Sequence, residues 1–73
     1  RAEVPLGEDS EAYQVQVRRG ETVVRDVTVH SPSWTYDEAE IAGDGASGSI
    51  TLRVAQVSER YGAGPFSELE VTV

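Results

Sequence analysis

From Ser49 to Val73 the chain reads SITLRVAQVSERYGAGPFSELEVTV, and the alternation at both ends of this stretch constrains the fold more than any other feature. Ile50, Leu52 and Val54 interleave with Thr51, Arg53 and Ala55; Leu69, Val71 and Val73 interleave with Glu68, Glu70 and Thr72. A period of two gives a strand one apolar face, so each run predicts a half-buried β-strand. Between them, Gly62, Gly64 and Pro65 carry turn chemistry. The pair predicts a hairpin whose apolar face needs a second layer to cover it.

Upstream the same period recurs. Tyr13, Val15 and Val17 alternate with Gln14, Gln16 and Arg18, and Arg19-Gly20-Glu21 then makes a turn into Thr22 to His30. That second run is rich in β-branched residues, which favour strands. Its alternation breaks, because Val27 and Val29 share a parity with Val23 while Val24 does not. The break predicts a bulge or an edge strand wet on both faces, with Arg25 and Asp26 discouraging pairing with another molecule. Ser31-Pro32-Ser33 ends the run. Trp34 and Tyr36 follow on one face of a short strand and carry the largest apolar areas in the chain, which makes Trp34 the expected heaviest core anchor. Asp37 with Glu40 three residues on is a capping-box pattern, and Gly43 predicts a stop after about one turn, with Ile41 tucked onto the core. Residues 1–10 (RAEVPLGEDS) read as a connection anchored by Val4 and Leu6, and residues 11–73 as the domain. The expected class is all-β, most simply a sandwich.

With 73 residues and no cysteine, a single small core must hold without disulfide or thiolate–metal help. Net charge is −7, and the acids are spread along the chain, which disfavours phosphate backbones and anionic membranes as partners. No apolar run approaches the ~20 residues of a membrane-spanning helix. The chain has no methionine and starts at Arg1, so it reads as a piece of a longer polypeptide.

Candidate chemistry thins out on inspection. Gly43 to Gly48 (GDGASG) matches the letters of a dinucleotide fingerprint, but a strand follows and no long helix does. Asp37, Glu38, Glu40 and Asp44 cluster without the spacing of a calcium loop, so no metal is expected. His30 is the single histidine, at a strand end, with neither a nucleophile elbow nor cysteine partners. Paired carboxylates for glycoside cleavage would need a cleft that so short a sandwich hardly provides. No cofactor and no catalysis are expected. Arg60 and Tyr61, in the loop between the last two strands, are the candidate binding pair, since such loops carry recognition and Tyr and Arg anchor interfaces. The competing expectation is that Tyr61 folds over Phe66.

The order of these parts resembles a fibronectin type III domain. Tyr13 to Val17 is similar to its strand C, Thr22 to His30 to C′, and Trp34-Thr35-Tyr36 with Ile41 to strand E and the turn after it. Ile50 to Ser58, the loop ERYGAGPFS and Glu68 to Val73 are similar to strands F and G. Strands A and B have no evident counterpart, and Ile50 stands where the family usually opens strand F with tyrosine. The expectation is therefore an incomplete fibronectin-like sandwich, closed by protein outside residues 1–73 or partly by Val4 and Leu6 folding back. Within that family, VPLGEDSEAYQVQV, TYDEAEIAGDG and LRVAQVSERYGAGP resemble the C-terminal fibronectin-like segment of host-specificity proteins, found at the tail tips of long-tailed phages and gene transfer agents. That resemblance implies a noncatalytic structural or recognition module in a virion or virion-like tail, partnered by neighbouring domains or subunits and by a host surface receptor. Two alternatives remain open: a spacer module in a secreted bacterial multidomain enzyme, and a small calcium- or glycan-binding domain.

Overall fold

Strand β5 (Ser49–Ser58) is the spine of the larger sheet in the computed structural model, which describes residues 1–6, 12–58, 60 and 62–73. It pairs antiparallel with β2 (Ala12–Arg19) on one side and with β6 (Gly62–Ala63) and β7 (Ser67–Thr72) on the other. Strand β3 (Thr22–Val29) adds to β2 at the far edge, giving a five-stranded sheet. Opposite residues in an antiparallel pair share a face, and the register sets Val17 against Leu52, Val15 against Val54, and Leu52 against Leu69. The alternation seen in the sequence thus becomes one continuous apolar surface. Tyr13, Val15, Val17, Ile50 and Leu52 are buried on it, whereas Val54 and Val71 are half-covered and Leu69 is 55% exposed. Cover therefore fails toward β7.

The broken alternation in β3 is a bulge. Val17 faces Arg25 and Arg18 faces Val23, so Val24 is an extra residue between two regular stretches of ladder. On the turn side of it Val23 looks outward and is 46% exposed. Beyond it Arg25, Val27 and Val29 line up with the inward residues of β2. Gly20, at φ 61°, supplies the left-handed conformation this hairpin turn requires. On the outer face, Gln14 and Gln16 both donate to the Asp26 carboxylate, at 3.2 and 3.1 Å, and Arg53 donates to Gln16 at 3.1 Å. Arg53 and Arg18 pair with Glu68 at 3.1 and 3.6 Å. That face is polar and largely satisfied from within.

A second sheet covers the first. Here the N-terminal segment, expected as a connection, contributes a strand: β1 (Ala2–Pro5) pairs antiparallel with β4 (Ser33–Tyr36), and Leu6 extends the contact by donating to the Pro32 carbonyl at 2.8 Å. Residues 7–10 of that expected connection lie outside the described residues. Val4 and Leu6 are buried in the core at 4% and 7% exposure. The opposing layer is thus two strands of four residues each. The protein is a small all-β sandwich with one short helix.

That helix, α1 (Glu38–Asp44), begins at the expected capping box: Glu40 N–H donates to the Asp37 carboxylate at 2.8 Å and the Asp37 N–H to Glu40 at 3.3 Å. Ile41 is buried, as its position implied. The stop is two residues later than Gly43 suggested, at Gly45 with φ 64°. Arg19, reaching from the β2–β3 hairpin, donates to the Gly45 carbonyl and puts a cation at the negative end of the helix. Tyr36 is fully buried, and Trp34 stacks on it with ring centroids 5.1 Å apart while remaining only half-buried. The heavier anchor is therefore Tyr36 rather than Trp34.

Candidate functional site

The described residues among those singled out from the sequence lie on separate elements, apart from the acids of α1 and its cap. Arg60 is exposed just after β5; Tyr61 lies outside the described residues. Phe66, which Tyr61 was expected to cover, carries the Arg53 guanidinium over its ring at 4.5 Å from the centroid. His30 is exposed beyond the end of β3. Asp37 and Glu40 are committed to the helix cap, and Asp44 to the cluster described next. Among the described residues, no group of three or more His, Asp or Glu side chains is placed to hold a metal ion.

The densest polar cluster joins the two layers. Because the bulge turns Arg25 inward, its guanidinium reaches α1, donating to Asp44 at 2.6 and 3.2 Å and pairing with Glu40 at 3.1 Å. The Tyr36 hydroxyl donates to the same Asp44 oxygen at 2.6 Å. Asp44, with Arg25 and Tyr36 both bonded to its ionised form, is held below the usual carboxylate range, the Arg25 bond being the larger cause. Burial first, and the bond to an anion second, push the Tyr36 hydroxyl up to about 12. Every charge here has a partner, so the cluster works as a polar staple between sheet and helix. It holds no nucleophile freed for attack.

Apolar surface is left uncovered elsewhere. A groove of about 420 Å³ runs between β1 and the β5–β7 side of the large sheet. Val4 and Leu6 form one wall, Leu52, Val54 and Leu69 the floor, and Gly64 with Pro65 one end. It lies where the two-strand layer stops short of the five-strand one. Sequence alternation identifies the floor residues as inward-facing, and their cover in the described chain is graded: Leu52 is buried, Val54 half-covered and Leu69 55% exposed.

One prediction follows directly. The apolar fluorophore Nile red is expected to bind the folded chain at this groove, and Leu69→Ser to remove most of that signal. The substitution should cost about 1 kcal/mol or less, because Leu69 is already half in water. Undiminished fluorescence in the folded Leu69→Ser variant would place the dye elsewhere. Comparison with protein-family models, curated proteins and solved structures finds no match to this chain.

Proposed function

We propose that this chain is a noncatalytic fibronectin type III-like module that serves as a structural and recognition unit in the tail tip of a phage-type or gene transfer agent particle. The observation that carries the binding part of this reading is the open apolar groove. There the exposed Leu69 and the half-covered Val54 lie beside an edge strand, a setting in which an added extended chain can bury both. On the outer sheet face Gln14, Gln16, Asp26 and Arg53 bond one another, and Arg25 bonds Asp44.

Strand order supports the fibronectin-like part. β3, β2, β5 and β7 follow one another across the large sheet as C′, C, F and G do, and β1 beside β4 occupies the place of B beside E. The tail-tip part rests on the sequence runs VPLGEDSEAYQVQV, TYDEAEIAGDG and LRVAQVSERYGAGP. Immunogold labelling with an antibody to this chain, on particles purified from the producing cells, tests it. Gold at the tail tip is the expected result. Gold on the head, or the antigen recovered only with a secreted hydrolase, would overturn it in favour of a spacer module.

A further inference from the structure

The open edge of β1 specifies what kind of occupant the groove can take. Leu6 donates its N–H toward β4, to the Pro32 carbonyl. Backbone groups of successive strand residues point to opposite edges, so those of Ala2 and Val4 also face β4, and those of Glu3 and Pro5 face away. The free edge thus presents one donor, the Glu3 N–H, and two acceptors, the Glu3 and Pro5 carbonyls. Proline sits where its missing N–H costs no bond to β4. A row of backbone groups beside an apolar trough fits an extended chain, which can bond the edge and fill the trough at once. A helix would leave the edge unpaired.

Side-chain parity then fixes the chemistry of that chain. In β1, Val4 and Leu6 point into the sandwich, and Glu3 and Pro5 point out. A strand paired antiparallel to β1 has the same parity, so its residue opposite Glu3 points outward beside the exposed Arg1–Glu3 ion pair, 2.9 Å long. Its neighbours on either side point inward, over Leu52, Val54 and Leu69. The net charge of −7 favours a cation at the outward positions and disfavours a second copy of this chain.

We infer that the groove binds one extended segment of a partner protein, added antiparallel to β1 as a third strand, with branched apolar residues inward and basic residues outward, matched to the net negative charge of this chain. This rests on the binding-module reading above and adds the mode and chemistry of the partner.

The test titrates the isotope-labelled 73-residue chain with a synthetic eight-residue peptide alternating lysine and valine. The expected result is a shift of the Glu3 amide and of the Leu52, Val54 and Leu69 methyl signals. Methylating the backbone nitrogens of the two central lysines, which face Glu3 and Pro5, should weaken binding about tenfold, the effect of two lost backbone bonds. An alternating glutamate–valine peptide should bind more weakly than the lysine form. Leu69→Lys should lower affinity for the lysine peptide in a chain that is still folded. Equal binding of methylated and unmethylated peptides overturns the inference, as do shifts confined to β3 or to the outer face. Absence of binding at millimolar peptide also overturns it. In that last case gold at the tail tip would leave the module reading intact.

Discussion

Tyr36→Ala is expected to be the most damaging single truncation in this chain, costing about 3–5 kcal/mol. Stability scales to roughly 4–11 kcal/mol for a domain of this length, so the variant should lose about a third or more of it. Three contributions vanish together: a side chain with no exposed surface, a ring stacked on Trp34, and the hydroxyl that bonds Asp44. Tyr36→Phe separates the last from the first two and should cost only about 1–2 kcal/mol. Trp34→Ala should cost less than Tyr36→Ala, because the indole keeps part of its surface in solvent whereas Tyr36 keeps none. Urea titrations followed by circular dichroism give all three. A larger loss for Trp34→Ala than for Tyr36→Ala would mean that the centre of the core has been misplaced.

Asp44→Ala is expected to cost about 2–4 kcal/mol, next in size, because it strips the acceptor from two partly buried donors. Arg25 keeps Glu40, which moderates the loss. The same cluster sets two limits on pH. Asp44 has its pKa lowered by folding, so its stabilisation is complete above the unfolded carboxyl value near 4 and disappears as pH falls through the lower folded value. Tyr36 has its pKa raised to about 12, so its contribution is complete below the unfolded value near 10 and disappears as pH climbs from there to 12. Melting temperature against pH should therefore fall at both ends. In Tyr36→Phe the alkaline fall should be smaller, and in Asp44→Ala the acid fall should be smaller. An alkaline limb unchanged in Tyr36→Phe would assign it to another group.

Local periodicity carried much of the architecture. The inward residues of β2 and β5 could be named because alternation is a property of the strand itself, and the capping box because its partners are three residues apart. The bulge announced itself as a broken alternation at Val24. Features that depend on distant pairing were harder to read. Ala2, Val4 and Leu6 do alternate with Glu3 and Pro5, yet four residues ending in proline carry too weak a signal without β4 beside them. Gly43 and Gly45 offer the same stop signal, and only the left-handed backbone at Gly45 separates them. Trp34 and Tyr36 share a face, but periodicity does not say which lies nearer the centre of the sandwich. For the candidate site, the groove's floor and a shortfall of cover were both legible, but which side of the sheet stays uncovered was not, since that depends on where β1 pairs. Arg60 shows on the surface as expected.

The bulge at Val24 also marks where this hairpin can change length. Val23 already faces Arg18 and Arg25 already faces Val17, so the residues flanking Val24 stand as consecutive rungs of an unbroken ladder. A chain one codon shorter at this point closes the gap without moving any other pair in the hairpin, and Arg25 still arrives at Asp44. Elsewhere in β3, removing one residue would exchange the inward and outward sets between the deletion and the nearest correction of register. The hairpin can thus absorb a one-residue deletion at this position while the salt-bridged junction beyond it stays in phase.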